Sequence, residues 1–191
     1  MYSLFIDTHD KDIVITLFKD GKVISSNIKT SERHHSDFTM PMIDNILKDN
    51  KLNVHDLGEL LVVNGPGSFT GVRLSVTIAK TLAYTLNIPI KTITSLETLA
   101  ISNDSKQDKL VVIHDIKGVY GAIFKDDKLD GEIFYKSNAE FEEMDKEKYM
   151  IIEEEKLDME SIYEYMKNIE PTIAHKVNPL YVKIIEALKN D

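Results

Sequence analysis

The 191-residue chain contains no cysteine. That excludes a disulfide, a thiolate metal site and a cysteine nucleophile. Glycine and proline are sparse, at eight and five residues. No apolar run approaches the length needed to span a bilayer, and the chain enters a strand pattern at once, with no signal-peptide pattern before it. A cytoplasmic protein with no membrane partner is the expectation. Positive charge is also short, with 23 Lys and Arg against 32 Asp and Glu, for a net charge of −9. The imbalance is local. Residues 126–170 hold 16 acids against 6 lysines, while residues 1–125 carry 14 of each sign. With no basic patch legible, nucleic-acid binding by the isolated chain is disfavoured.

What is present is organised around Leu60-Leu61-Val62-Val63-Asn64-Gly65-Pro66-Gly67-Ser68-Phe69-Thr70-Gly71-Val72-Arg73. Four apolar residues read as a buried strand, and Gly65-Pro66-Gly67 breaks it with a turn. Ser68 and Thr70 each offer an oxygen for an N-cap. From 72 to 86 the apolar residues recur at helical spacing on two faces: Val72, Val76, Ala79, Ala83 and Leu86, then Leu74, Ile78 and Leu82. Gly71, Ser75 and Ala79 are spaced by four, a small-residue stripe that lets another element approach closely. The spacing predicts a helix that serves as an assembly surface.

A strand, a glycine turn and a helix also suggest phosphate binding at a helix N-terminus. The nucleotide fingerprints do not fit. Gly65-x-Gly67-x-x-x-Gly71 is one residue too long for the dinucleotide pattern, and no Lys-Ser/Thr follows for a P-loop. A strand-to-helix turn in which Gly71 admits a neighbouring backbone is the favoured reading.

The segment 64–73 resembles the signature G-P-G-S-F-T-G-(L/V)-R of the TsaB (YeaZ) family, the small non-catalytic subunit of the bacterial machinery that makes threonylcarbamoyladenosine in tRNA. Phe5-Ile6-Asp7-Thr8 resembles that family's N-terminal I-D-T-S. His34 to Leu47, with Pro41-Met42-Ile43, resembles its first helix, and Pro179-Leu180-Tyr181-Val182-Lys183 its P-x-Y-L-R. The likeness is close over residues 1–101 and thin afterwards. Two departures stand out: His9 where the family usually has serine, and His114-Asp115-Ile116-Lys117 where an Asp-Ala-Arg motif is common.

In chain order, residues 2–29 read as a three-strand meander with a hairpin at Asp20-Gly21. A helix from about Ser31 or Glu32 to Asp49 follows, with Pro41 inside it as a kink. After the central strand and helix come a short strand at 91–94 and a helix from Ser95, capped by Ser95 with Thr98. The order βββαβαβα is that of an RNase H-like unit. Residues 112–129 then echo residues 5–23, with Asp115 answering Asp7 and Lys125 answering Lys19. The expected fold class is therefore α/β, with two RNase H-like subdomains of the actin, Hsp70 and sugar-kinase type, the second shortened. Their expected extents are 1–102 and 109–191, divided at the polar stretch 103–108. A helix near Phe141, a strand at 149–152, a helix at 161–169 and a final strand-helix end complete the pattern.

Asp7 and Asp115 end the first strand of each copy, where nucleotide-binding relatives hold magnesium through water. Asp7 could take a metal with Asp10 or Asp12; without a flanking phosphate loop it is better read as accepting backbone N–H groups at a strand end. His34-His35 point about 100° apart on a helix and do not converge on one ion. Ser68 lacks both glycines of a nucleophile elbow, which leaves it a helix cap. Arg73, one turn into its helix, is disfavoured there by the dipole and pairs with a neighbour or faces solvent.

The resemblance implies a catalytically incompetent subunit with no metal or cofactor. It would activate TsaD for threonylcarbamoyl transfer to the adenosine next to the tRNA anticodon. It would bind TsaD through residues 38–47 and 72–86 in an interhelical bundle, using Phe38, Met42, Ile46, Gly71, Arg73, Ser75, Val76, Ala79, Leu82 and Ala83. The turn Gly65, Pro66, Gly67, Ser68, Phe69, Thr70 and Gly71 would stand beside it. TsaD would supply the active site, TsaE the ATPase and TsaC-type proteins the threonylcarbamoyl-adenylate; tRNA would be met only in the complex, and the same helices could form a homodimer. The alternatives are an ATP-dependent phosphotransferase or ATPase of the same architecture, which the missing phosphate loops oppose, and more distantly a peptidase.

Overall fold

The computed structural model describes residues 1–31 and 34–183. Strands β1 (Tyr2–Asp7), β2 (Asp12–Lys19) and β3 (Lys22–Thr30) form the meander. Its hairpin turns at Asp20 and Gly21, whose φ values of 50° and 83° match the twist of the flanking strands. Helix α1 (His35–Asp49) crosses to β4 (Leu57–Val63), which pairs parallel with β1. Helix α2 (Phe69–Leu86) crosses to β5 (Ile90–Ile93), parallel with β4. The sheet order is β3-β2-β1-β4-β5, the RNase H-like order the sequence predicts. Helix α1 begins later than expected because His34 takes a left-handed conformation at φ 67° and stops the helix from extending backwards. Glu32 and Arg33 lie outside the described residues.

The two faces of this sheet divide by strand alternation. Leu4, Ile6, Ile13, Ile15, Leu60 and Val62 meet α1 and α2 on one side. Phe5, Val14, Phe18, Leu61 and Val63 meet α5 (Met159–Lys167) on the other, through Ile162, Tyr163 and Met166. A buried carboxylate pins α5 there: Glu59 Oε1 accepts from Ser3 Oγ at 2.7 Å and from Tyr163 Oη at 3.2 Å.

The second sheet repeats the plan in smaller form. Strands β6 (Lys109–Asp115), β7 (Gly118–Lys125) and β8 (Lys128–Ser137) form a meander, α4 (Asn138–Glu142) crosses over, and β9 (Met150–Ile152) pairs parallel with β6. The order β8-β7-β6-β9 repeats β3-β2-β1-β4, so the echo between residues 5–23 and 112–129 is a structural repeat. Helix α3 (Ser95–Ser102) lies between the sheets and packs Leu96, Leu99 and Ala100 on Val111, Ala122 and Phe124. Its cap sits one residue earlier than expected. Thr94 Oγ1 accepts from Glu97 N, and Glu97 Oε2 accepts from Thr94 N at 2.8 Å, a full capping box. Ser95 is turned instead to donate to Pro66 O, which ties α3 to the glycine turn.

The chain after α5 returns to the first sheet, where a final strand was expected. Thr172 N donates to Ile90 O at 2.9 Å, a single 3-10 turn follows (Ala174–Lys176), and Val177 is buried against the α2 side of the core. Leu180 N then donates to Asn64 O at 2.7 Å. This strap, residues 171–183, forms no strand among the described residues, and the expected terminal helix falls in 184–191, outside them. Among the described residues no helix is long and apolar enough to cross a membrane.

Candidate functional site

Two grooves run along the carboxyl ends of the strands, between the sheets. One, of about 1210 Å³, is lined by His9, Ser68, Asp115, Tyr120, Tyr135 and Lys183 among others. The other, of about 1140 Å³, is lined by Asp7, Asp10, Asp12, His114, Glu153 and Glu154 among others. Strand-end grooves of this kind are where open α/β folds place ligands, so the chemistry of their walls decides what they can do.

Asp7 is 1% exposed. Its Oδ1 accepts from His9 N at 2.9 Å and faces His9 Nδ1 at 2.8 Å. The carboxylate is thus turned inward to cap its own strand end, as turn carboxylates do. Burial by itself would lower the His9 pKa, but the Asp7 carboxylate outweighs it and holds the imidazole above its usual 6.5. His9 O accepts from Ser68 N at 2.7 Å, so the glycine turn lies directly on residues 8–9. A Cβ on Gly67 or Gly71 would collide with the His9 or Thr8 carbonyl. The glycines serve backbone against backbone rather than backbone against phosphate.

Ser68 is the N-cap of α2 and accepts from Gly71 N at 3.3 Å, as the sequence predicts. At the equivalent end of β6, Asp115 Oδ2 accepts from Lys183 Nζ at 2.8 Å and from Tyr135 Oη at 3.2 Å, while Oδ1 accepts from Ile116 N. Partial burial pushes the Asp115 pKa up, but the Lys183 ammonium and the Ile116 amide outweigh it and hold the carboxyl below its usual 3.8. Among the described residues no group of three or more His, Asp or Glu is placed to hold a metal ion.

The second candidate region is the outer face of α1 and α2. Here the small-residue stripe has to be corrected. Ala79 is 0% exposed, and Gly71, Ser75, Val76 and Ala83 are buried with it against the chain's own sheet. Ser75 Oγ donates to Val63 O at 3.1 Å and Thr8 Oγ1 to Gly71 O at 2.6 Å. Small side chains are needed because α2 lies close on β4 and on the β1–β2 turn. Ile46 is buried in the same core. Of the residues expected at a partner surface, Arg73 is exposed and Phe38, Met42 and Leu82 are half-buried at the rim. The outer face presents two large residues that the spacing argument did not single out, Met40 and Tyr84, the latter 78% exposed.

Arg73 does find a neighbour. Its Nε donates to Tyr181 Oη at 2.8 Å and its guanidinium lies 4.0 Å from the centre of the Phe69 ring. The Phe69 and Tyr181 rings meet at a tilt of 38°, their centres 5.5 Å apart. Nothing local in residues 64–73 signals this contact, because Tyr181 arrives from 108 residues away.

The tRNA N6-adenosine threonylcarbamoyltransferase (TsaD) family model matches residues 22–116. The chain is 44% identical over 100 residues to the tRNA threonylcarbamoyladenosine biosynthesis protein TsaB of Bacillus subtilis (strain 168), a match covering 52% of this chain and 44% of that protein. It is 34% identical over 100 residues to TsaB of Escherichia coli (strain K12), covering 52% and 43%. The chain spans about half the length of the curated relatives it matches. Among solved structures, YeaZ from Pseudomonas aeruginosa superposes with a TM-score of 0.79 over 94% of this chain and 99% of that one, at 17% identity. At that identity the superposition speaks for the fold, two RNase H-like subdomains in one chain.

Proposed function

We propose, from the roughly 100 residues it shares with curated TsaB proteins, that this chain is of the TsaB (YeaZ) type and is the non-catalytic subunit that activates a TsaD-type enzyme. The enzyme would transfer a threonylcarbamoyl group to tRNA. The observation that carries the reading is Asp7. It stands where nucleotide-binding relatives hold magnesium, yet it is buried and spent on His9, under a glycine turn packed against backbone. With Oδ1 committed to His9 and the side chain buried, Asp7 is poorly placed to hold a hydrated ion. The metal and the reacting groups would then belong to the partner. The transferase family model also matches, which fits an architecture common to both subunits; the H-x-x-x-H pair of the catalytic relative is missing here.

The TsaD-type partner docks on the outer face of α1 and α2, through Met40, Arg73, Tyr84 and the rim residues Phe38, Met42 and Leu82. A TsaE-type ATPase joins the larger assembly, and the same helices could pair two copies of this chain when the partner is absent. The setting is the cytoplasm, where tRNA is modified.

The test is reconstitution. A TsaD-type subunit with threonylcarbamoyl-adenylate and unmodified tRNA should give modified nucleoside only when this chain is added. The chain alone should neither modify tRNA nor turn over ATP. Steady ATP hydrolysis by the isolated chain, lost in Asp7→Ala with the fold retained, would instead support the ATPase reading.

A further inference from the structure

Charge is distributed across the outer surface in a way the net value of −9 conceals. Helix α2, residues 69–86, contains Arg73 and Lys80 and no acid, and the strap 171–183 contains Lys176 and Lys183 and no acid. The two run side by side: Arg73 is bonded to Tyr181, and Lys80 Nζ donates to His175 O at 3.3 Å. Helix α1, on the other side of α2, carries Asp37, Asp44 and Asp49 against a single Lys48. The surface is therefore acidic over α1 and cationic over α2 and the strap.

Large apolar and aromatic side chains stand out along the cationic part. Phe69 is 47% exposed, Tyr181 51% and Ile173 56%; further along α2, exposed Tyr84 shares a stripe with Arg73, Thr77 and Lys80. Aromatic rings and arginine are the side chains that dominate binding energy at interfaces. Arg73 is already ordered between two rings, so it loses little freedom on binding.

We infer that the partner surface extends beyond α1 and α2 onto the strap, and that this extension receives a folded protein face bearing carboxylates around an apolar patch. The inference rests on the proposed role as a partner subunit and adds the chemistry of the contact. RNA, the other ligand a cationic aromatic strip suggests, fits less well. A polyanion feels the chain's overall negative field during approach, and its affinity grows with the number of phosphates neutralised. Here Lys183 is paired with Asp115, which leaves Arg73, Lys80 and Lys176, too few cations to neutralise a run of phosphates. A folded partner is affected chiefly by charges within a Debye length of about 8–10 Å; within that range Asp115 neutralises Lys183, while Arg73, Lys80 and Lys176 face no acid from α2 or the strap.

The test measures binding of a TsaD-type subunit to the full chain by calorimetry at about 50 and 300 mM salt, for the wild type, Lys176→Glu, Ile173→Asp and Met40→Asp. The α2–strap strip predicts that Lys176→Glu and Ile173→Asp each weaken binding about tenfold or more, with circular dichroism and melting temperature unchanged. It also predicts that the wild-type affinity falls with salt and that Lys176→Glu flattens that fall. If Met40→Asp abolishes binding while both strap variants bind like wild type, the surface stops at α1 and α2; the extension is then wrong and the proposed function stands. If the wild type does not bind at all, the proposed function fails and takes this inference with it. If unmodified tRNA binds the lone chain and Lys176→Glu removes it, the strip is a nucleic-acid surface and the inference is overturned.

Discussion

Lys183 Nζ lies 2.8 Å from Asp115 Oδ2, 68 residues earlier in the chain, and joins the end of the strap to the end of β6. The strap is bonded to the glycine turn three residues before, through Leu180 N and Asn64 O. The pair thus connects the first sheet's central turn to the second sheet. Both side chains are about a third exposed, so the pair contributes about 1 kcal/mol at most. Its effect is local. Lys183→Ala should speed amide exchange of Leu180 several-fold while Val62, in the core of β4, keeps its protection. Equal protection of Leu180 in both proteins would mean the strap is held without the pair.

The same pair gives a pH dependence of definite sign. Asp115 has its pKa lowered by folding. Its contribution is present above the unfolded value near 3.8 and is lost as pH falls through the lower folded value. Acid titration followed by amide exchange at Leu180 should show early release of the strap, and Asp115→Asn should remove that step.

His9 acts in the opposite sense. Its pKa is raised above 6.5 by folding, so its contribution is full below 6.5 and is lost as pH rises through the folded value. Urea midpoints should therefore fall between about pH 6 and pH 8.5 more steeply in the wild type than in His9→Asn. Parallel curves would show that Asp7 does not hold the proton on the ring.

Ala79→Phe tests the corrected reading of the small-residue stripe. Ala79 is fully buried against the sheet, and overpacking there should cost about 1–3 kcal/mol and lower the melting temperature. Partner affinity, measured well below that temperature, should stay near wild type. Lost affinity with an unchanged melting temperature would restore the stripe to the interface.

Lys109 is a buried cation whose ammonium donates to Ala100 O at 2.7 Å and to Asp127 Oδ1 at 2.6 Å. It holds the carboxyl end of α3 and the β7–β8 turn together. Lys109→Met keeps the length and removes the donors. It should cost about 1–3 kcal/mol in urea unfolding, with the loss concentrated in the second sheet by amide exchange.

The sequence by itself determined what depends on neighbours in the chain. Strand alternation around Ile13 and Ile15, the Asp20-Gly21 hairpin, the Ser68 cap and the repeat of residues 5–23 at 112–129 are all set by local sterics, periodicity and capping, and all are legible. The Thr94–Glu97 box was equally local and is visible in T-S-L-E once Thr94 rather than Ser95 is taken as the cap. What tertiary structure alone decided is which face of α2 is inside. Two apolar faces and a small-residue stripe are compatible with either a sheet or a partner, and only the close approach of Thr8 and Val63 settles that Gly71, Ser75 and Ala79 look inward. The same holds for Arg73, Tyr181, Asp115 and Lys183. Each is unremarkable where it stands in the chain, and each gains its role from a contact more than sixty residues away. A contact at that separation depends on the path of the whole chain, because loop-closure cost changes only slowly with length and favours no one partner over another.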